Sequence, residues 1–376
     1  MKCSISNIAS VISESIPNPA ESGFDIFVGL EHYDSGEVKV TRCGSTQNLV
    51  TAVKVFRKGD ILLARRNVYL KRAGLVDFDG VTSGDSIVLR VKDDLSSLSL
   101  QSEDIRMYLP FVLNTEEFWN YAEKYSDGTM SKRLSPKTLL QYEFDIPDDV
   151  TEKNRLLWQA YMTKESYKAM ITATDEMVKS QFIEMFGEAS NWDQKPWAEV
   201  FDTQLGKMLD QKKQKAEEQR LRYLANINVQ WGCFELNNLN VMTFSEKDVK
   251  RFALRKGDLI ICEGGVAGRC AVWQIENSEI KYQKALHRAR PKISIDTEFV
   301  RYYLQFYKES GKLANYITKG TIEHLTGEKL ATIPVILPPF ELQEMFVSIS
   351  RQADKSKFEL KQAIEKIDKV MRALMQ

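Results

Sequence analysis

The chain has 376 residues, 43% of them hydrophobic, which is enough apolar material for two or three packed domains and too much for a disordered protein. Lysine and arginine together number 52, as do aspartate and glutamate, so the net charge is zero. This balance argues against nucleic-acid binding through overall charge alone, while local basic surfaces remain possible.

The cysteines and histidines exclude several classes of site. Five cysteines and three histidines are scattered along the chain without the spacing of a zinc site, and we expect no bound metal. An odd number of irregularly spaced cysteines is typical of reduced thiols in the cytosol.

Met1 to Ser10 lacks the apolar core of a signal peptide, and no run approaches the roughly 18 apolar residues of a membrane span. We therefore expect a soluble, cytoplasmic protein without membrane contact.

The first predicted domain covers residues 1–150, where short apolar runs alternate with glycine, aspartate and serine turns. Its clearest strand follows the Lys-Gly-Asp turn at 58–60, and Glu116–Lys124 has a helical pattern. Residues 152–186 contain neither glycine nor proline and end before Gly187, a suitable helix cap. We assign 151–187 to a central helix, roughly 50 Å long at about 1.5 Å per residue.

The same order then repeats, with a second domain at 188–339 and a distal helix at 340–376. The stretch 254–262 resembles 56–64, and five further landmarks follow in register at offsets of about 190 to 200 residues. The sequence thus predicts a tandem duplication with an α+β (mixed α/β) fold, Glu298–Lys308 being a helix of the second copy. Two unrelated domains that share common turn signals are the alternative.

The distal helix carries a heptad seam, in which a row from Phe346 to Leu374 alternates with a row from Leu342 to Val370. The central helix is less regular because Lys164 and Gln181 weaken its seam. We expect the two helices to pair as an antiparallel coiled coil that separates the domains, rather than to cover one domain each. The predicted seam residues are Leu157, Ile171, Val178, Phe346, Ile349, Leu360, Ile367 and Leu374.

Several stretches resemble the specificity subunit of type I restriction–modification systems, and the resemblance covers essentially the whole chain. They are Tyr223–Gly232, Lys256–Ile261, Gly320-Thr321 followed by Leu325, and Ile336–Gln343. The last of these is similar to the family's entry into the distal spacer helix. The first domain matches more loosely, since Pro147–Val150 stands where the family has a pair of prolines.

The resemblance implies two target-recognition domains and two spacer helices. Each domain would recognise one half of a bipartite, asymmetric site in double-stranded DNA, and the helices would set the gap between the halves and dock methyltransferase (modification) subunits. Partner subunits would bind the cofactors: S-adenosylmethionine on the methyltransferase, and ATP with magnesium on the restriction/translocase subunits. This chain would bind no cofactor and carry no catalytic centre. The DNA sequence and the gap length do not follow from the residues.

Affinity for DNA comes from cations on phosphates, and specificity from polar groups on base edges. Candidate DNA-binding residues of the first domain are Arg65, Arg66, Tyr69, Lys71, Arg72, Lys132 and Arg133. Those of the second domain are Lys207, Lys212, Lys213, Lys215, Arg220, Arg222, Lys281, Lys284, Arg288, Arg290, Lys319 and Thr321. The segment 207–222 is interpreted as a basic helix or arm. Each cation taken alone is equally consistent with a surface ion pair, and we expect a structural role for His287.

A stand-alone DNA-modifying enzyme and a coiled-coil assembly scaffold are the alternatives. An adenine methyltransferase needs Asn or Asp before its Pro-Pro-aromatic motif, and Leu337 stands there instead. Glu279-Ile-Lys281 has the tail of a nuclease motif without its upstream Pro-Asp. The glycines of Gly264–Gly268 have no counterpart in the first domain, which favours a turn between strands over a phosphate site. A scaffold would explain the helices but not two domains with basic loops.

Overall fold

The computed structural model describes residues 1–19, 22–128, 131–187, 191–208, 219–318 and 323–376. The chain divides into two compact units. Unit 1 comprises Met1–Lys168 together with Lys361–Gln376, and unit 2 comprises Ala169–Leu360. Each of the two long helices therefore contributes residues to both units.

Unit 1 combines three sheets with helices. Its described strands are β1 (Lys2–Ser4), β2 (Ala9–Ile12), β3 (Ser15–Ile16), β4 (Ile26–Val28), β5 (Gly44–Ser45), β6 (Val53–Phe56), β7 (Ile61–Ala64), β8 (Ala73–Leu75), β9 (Gly80–Ser83), β10 (Ser86–Val91) and β11 (Glu143–Asp145). Its helices are α1 (Ile5–Ile8), α2 (Ser102–Val112), α3 (Glu116–Lys124), α4 (Pro136–Leu140) and the first part of α5 (Val150–Phe186). The strands pair in the orders β1-β11, β2-β10-β7-β8 and β3-β6-β9-β4-β5.

The four-stranded sheet of unit 1 is buried on both faces. Along β7, Ile61 and Leu63 pack into the larger core with α2 and α3, whereas Leu62 and Ala64 point into a second core on the opposite face. This alternation follows from the two-residue period of a strand. A continuous apolar run is what a strand covered on both sides requires, and it explains why β7 has no polar position.

Unit 2 is built from the same kinds of element. Its described strands are β12 (Gln194–Pro196), β13 (Phe201–Leu205), β14 (Gln219–Leu224), β15 (Asn240–Phe244), β16 (Leu259–Cys262), β17 (Cys270–Val272), β18 (Lys281–Tyr282), β19 (Leu286–Pro291) and β20 (Pro334–Ile336). Its helices are the last part of α5, α6 (Trp197–Val200), α7 (Glu246–Arg251), α8 (Thr297–Glu309), α9 (Gly327–Ala331) and the first part of α10 (Phe340–Met375). The strands pair in the orders β12-β20, β13-β19-β16-β17 and β15-β14-β18.

The two units share one topology. The sheet β13-β19-β16-β17 repeats β2-β10-β7-β8 strand for strand, and β12-β20 repeats β1-β11. In the remaining sheet, β15-β14-β18 corresponds to β5-β4-β9, including a parallel pair, β14 with β18 and β4 with β9. Among the described strands, unit 1 adds β6 and β3 to this sheet. The shared order of strands agrees with the duplication that the sequence predicts.

The Lys-Gly-Asp turn shows why this motif occurs in both copies. Gly59 has a φ of 89°, a left-handed conformation that favours glycine. Asp60 is 1% exposed and accepts the backbone N–H of Arg57 at 2.8 Å. Its carboxylate also receives two hydrogen bonds of 2.7 Å from the guanidinium of Arg90 on β10. Unit 2 repeats each of these features with the residues Gly257, Asp258, Arg255 and Arg290.

The long helices α5 and α10 pair within each unit. In unit 2, Phe182 packs on Phe346 with ring centroids 5.3 Å apart, and Lys357 binds Asp175 at 2.6 Å. Contacts that move forward along one helix and backward along the other define an antiparallel pair, as predicted. In unit 1, Lys164 of α5 binds Asp368 of α10 at 3.0 Å.

These two interhelical ion pairs are related by the duplication. Lys357 follows Lys164 by 193 residues, and Asp368 follows Asp175 by the same 193. The lysine comes from α5 in unit 1 and from α10 in unit 2, so the two helices exchange roles. The repeat therefore extends into the helices and includes their interhelical contacts.

The seam of the helix pair follows the predicted row, with one shift. Of the predicted seam residues, Leu157, Val178 and Phe346 are buried, and the following are half-buried: Ile171, Ile349, Leu360, Ile367 and Leu374. Ser356 and Val370 of the predicted companion row are instead exposed, and the less exposed positions lie one residue later, at Lys357 and Met371. An α-helix with 3.6 residues per turn drifts away from a strict seven-residue repeat, which explains the shift.

Candidate nucleic-acid interface

The loop between β7 and β8 of unit 1 holds most of the predicted cations of that domain. Asn67 and Lys71 both adopt the left-handed conformation, with φ of 56° and 49°. They bracket a single 3-10 turn at Val68–Leu70, in which Val68 is buried and Tyr69 is 60% exposed. Left-handed residues other than glycine are uncommon and cluster at functional sites, so this loop is a strong candidate.

A second predicted cluster, Lys132 and Arg133, lies beside this loop. Arg133 forms a backbone bridge with Arg66, and the N–H of Leu134 donates to the carbonyl of Arg65 at 2.9 Å. The structure thus brings together two clusters that are more than 60 residues apart in the sequence.

Asp85 organises this surface, and sequence reasoning missed it. Its carboxylate lies 3.8 Å from the guanidinium of Arg66 and 3.4 Å from that of Arg133. One carboxylate lies between two arginines, so the net charge of these three side chains is positive. The available signal was the Gly84-Asp85 turn between β9 and β10, which resembles the Gly-Asp turn before β7.

Lys71 and Arg72, also predicted to bind DNA, have partners within unit 1. Lys71 forms an ion pair with Glu116 at 2.6 Å. The guanidinium of Arg72 donates to the carbonyls of Leu30 at 2.9 Å and Arg66 at 3.1 Å. Both side chains therefore hold the loop in place, and their contact with DNA remains a prediction.

Unit 2 repeats the backbone arrangement of this loop, which we call the loop frame, with other side chains. Gly265 and Gly268 are left-handed, with φ of 74° and 85°. The backbone N–H of Cys262 donates to the carbonyl of Arg269 at 2.8 Å, and in unit 1 the N–H of Ala64 donates to the carbonyl of Arg72 at 3.0 Å. Gly264 forms a backbone bridge with His324, as Arg66 does with Arg133. The segment is a turn between β16 and β17, as predicted. Its counterpart in unit 1 also has two left-handed residues, Asn67 and Lys71, although neither is glycine.

The family model of the type I restriction modification DNA specificity domain matches residues 189–369 of this chain. This range contains the duplicated sheet and loop of unit 2 and most of α10, and unit 1 repeats the same topology. The matched residues 189–369 are therefore a type I restriction–modification DNA specificity domain. The chain therefore functions as a DNA sequence-specificity subunit. Neither of the alternatives, an independent enzyme or an assembly scaffold, is favoured.

Two solved structures share the fold of this specificity subunit along its whole length. A chain of a type I R-M system, solved for its complex assembly and conformational transition, is 17% identical, with a TM-score of 0.55. The S subunit of the type I system of M. genitalium is 14% identical, also with a TM-score of 0.55. Each alignment covers 100% of this chain and 96% of the other. At these identities the likeness concerns the fold alone.

In the second domain of the specificity subunit, two predicted arginines lie on a β-ribbon. Arg220 and Arg222 are on β14 opposite Thr243 and Val241 of β15, and both arginines are exposed. Residues two apart on a strand share a face, so the arginines form one basic stripe. Of the predicted basic helix or arm at 207–222, the helix is therefore wrong for 219–222, which belongs to β14. Five further predicted residues lie outside the described part of the chain: Lys212, Lys213, Lys215, Lys319 and Thr321.

Other predicted cations of the second domain are held in the fold. Lys207 donates to the carbonyl of Thr243 and to Asp248, both at 2.7 Å. Arg288 binds Asp202 at 2.7 Å with a side chain only 6% exposed. Arg290 binds the buried Asp258.

Lys281 and Lys284 differ from one another in burial. Lys281 is buried, and burial lowers its pKa. Lys284, two residues before β19, is exposed. Of the predicted cluster at 281–290, Lys284 is thus the side chain best placed to reach a ligand, and DNA contact by the others remains a prediction.

Two further polar side chains of the specificity subunit, those of His287 and Cys270, are buried in the fold. His287 is buried, with Nε2 3.1 Å from the carbonyl oxygen of Leu325, and burial lowers its pKa. The thiol of Cys270 is also buried, which raises its pKa. Within the described ranges, no three His, Cys, Asp or Glu side chains are grouped to hold a metal. No described helix is long and apolar enough to cross a membrane.

Proposed function

We propose that each unit recognises one half of a bipartite, asymmetric site in double-stranded DNA. The duplicated loop frame is the observation that supports this most directly. Equivalent backbone positions carry Arg66 and Arg133 in unit 1 but Gly264 and His324 in unit 2. Two copies of one frame with different side chains would recognise two different base sequences, because direct readout depends on the groups presented to the groove.

The helix pair sets the gap between the two half-sites in this proposal. Symmetric ion pairs at Lys164–Asp368 and Lys357–Asp175 hold the helices in one register. A stiff connection would make half-site separation a geometric property of the protein, as in dimeric DNA readers.

The chemistry belongs to partner subunits. Methyltransferase subunits would dock on the helices and bring S-adenosylmethionine, and restriction/translocase subunits would bring ATP and magnesium. The family is generally non-catalytic, and we infer that this chain supplies recognition without a reaction of its own. We place the complex in the cytoplasm, where its DNA substrate lies.

Mapping methylated motifs in DNA exposed to the chain and its cognate methyltransferase tests this proposal. We expect two short specific sequences separated by a fixed number of unspecified bases. Arg66→Ala with Arg133→Ala should relax or abolish recognition of one half and leave the other unchanged. Arg42→Ala, which removes an exposed ion pair with Asp34, is a matched control. A single continuous motif, or loss of both halves in the double variant, would contradict the proposal.

Lengthening the helices tests their role separately. Insertion of one heptad into both α5 and α10 should widen the gap and preserve both half-sites. Sequencing of the modified sites gives the new separation directly. An unchanged gap would refute the spacer role while leaving recognition by the two units intact.

A further inference from the structure

The 3-10 turn after β7 presents two adjacent apolar side chains to solvent. Tyr69 is 60% exposed and Leu70 is 37% exposed, while Val68 beside them is 2% exposed and anchors the turn in the core of unit 1. Large exposed apolar side chains are normal when single. A neighbouring pair at the tip of a loop is different, because the fold gains nothing from exposing it.

This tip is held rigidly. The N–H of Asn67 donates to the carbonyl of Lys132 at 2.9 Å, and Ser131 Oγ donates to Asn67 Oδ1 at 3.2 Å. At the other end, Lys71 is fixed by Glu116. These contacts tie both ends of the turn to the rest of unit 1, and a turn held in this way loses less conformational entropy on binding a ligand.

The loop keeps side chains where the other unit uses glycines. Asn67 and Lys71 take the left-handed conformation that Gly265 and Gly268 adopt in unit 2. The unit 2 loop is one residue shorter, and the exposed residues at its tip are Gly265 and Val266, while Ala267 is buried. A strained backbone that serves to present Tyr69 indicates a function for this tip.

Cations surround the apolar tip. Arg66 and Arg133 flank it around Asp85, and Lys132 is connected to Asn67 through the backbone. Lys54 lies beside Asp85, where its ammonium donates to the carbonyls of Gly84 at 3.2 Å and Ser86 at 2.7 Å. An apolar tip within a basic surface fits a polyanion that also has apolar faces. Duplex DNA is such a ligand, since its stacked bases lie between two rows of phosphates.

We propose that Tyr69 and Leu70 form a wedge that enters the DNA at the half-site of unit 1, where Tyr69 stacks on a base and opens one base step. Several DNA-bending proteins insert apolar side chains between bases in this way, and an aromatic ring stacks on any base. This inference rests on the proposed function. It adds an asymmetric distortion of the DNA, because the unit 2 loop has no aromatic residue at its tip.

The test uses the full chain assembled with its cognate methyltransferase and duplexes selected from a random-sequence library. In the selected site, 2-aminopurine replaces one base at a time, because its fluorescence rises when the base is unstacked. Wild type should raise the fluorescence at one step of the first half-site. Tyr69→Ala should remove that signal and weaken binding about tenfold or more, as expected for loss of base stacking. Tyr69→Phe should retain both.

Val50→Ala is the control, because Val50 is an apolar side chain of unit 1 that is 90% exposed and lies outside the β7–β8 loop and outside both long helices. It should leave the fluorescence and the DNA affinity unchanged. If Tyr69→Ala binds DNA as wild type does, or loses the methyltransferase subunit instead, the wedge is overturned while sequence recognition by the chain stands. If wild type selects no sequence at all, the proposed function fails, and the wedge fails with it.

Discussion

Charge reversal at Lys164 should destabilise the helix pair of unit 1. The Lys164 side chain is 13% exposed, with Nζ 3.0 Å from Asp368 and 3.7 Å from Glu37. Lys164→Glu would therefore place a carboxylate beside two others. Like charges about 4 Å apart repel by about 4 kcal/mol at an effective dielectric constant of about 20.

The net effect should be smaller than this figure. Asp368 is 36% exposed, so water screens it, and Glu37 keeps a second partner in Lys168 at 2.6 Å. We expect a loss of about 2–3 kcal/mol in the free energy of unfolding, after this screening and side-chain movement. A loss of that size lowers the melting temperature by roughly 5–10 °C in a unit of this length.

Scanning calorimetry measures this loss, and hydrogen exchange in 150–168 and 361–375 locates it. Adding Asp368→Lys to Lys164→Glu restores an interhelical pair, but the introduced carboxylate still faces Glu37, so about half of the loss should return. Arg155→Glu on the exposed face of α5 is the control and should change the melting temperature little. If Lys164→Glu melts like Arg155→Glu, the ion pair does not hold the helices.

Three further predictions concern the second domain. Arg290→Ala leaves Asp258 buried without its partner and should cost about 3–5 kcal/mol in chemical denaturation. Arg90→Ala should cost less, because the Arg90 side chain is already 39% exposed; equal losses would contradict this. Lys284→Ala should weaken DNA binding at all sequences and reduce the salt slope by about 1, whereas an unchanged slope would remove Lys284 from the interface. Burial lowers the pKa of His287 below 6.5, so as the pH falls past 6.5 the unfolded chain takes up this proton first. Stability should therefore fall with acidification, and His287→Gln should flatten that part of a pH series of melting curves.

The long helices and the strands after Lys-Gly-Asp could be predicted because their signals are local. Residues 152–186 have no breaker, and the structure places α5 at Val150–Phe186. The run after Asp60 is apolar throughout because β7 is covered on both faces. In each case the pattern lies within a few turns or one strand, so no distant residue is needed to interpret it.

Side chains that depend on distant partners could not be placed. Lys164 interrupts an otherwise apolar seam, and only the structure shows that Asp368 and Glu37 neutralise it. Arg290 resembles a surface cation for the same reason. The repeat could have revealed its role, since Arg290 follows Arg90 by 200 residues and Asp258 follows Asp60 by 198. A charged pair that recurs in both copies of the repeat belongs to the shared fold of the two units rather than to a surface that differs between them.

Comparison of the two units also separates the shared backbone of the loop after β7 and β16 from the side chains that differ between the units. The N–H of Arg65 donates to the carbonyl of Asp85 at 2.9 Å, and that of Glu263 donates to Ala285 at 2.8 Å. The backbone bond is kept, while the carboxylate that holds Arg66 and Arg133 in unit 1 is absent from this position in unit 2. The loop therefore differs as a set between the two units: the carboxylate and both arginines of unit 1 are replaced together, while the backbone bonds at the base of the loop are kept. If this loop recognises DNA as we propose, such a domain can present new side chains for recognition while the backbone bonds at the base of the loop are kept.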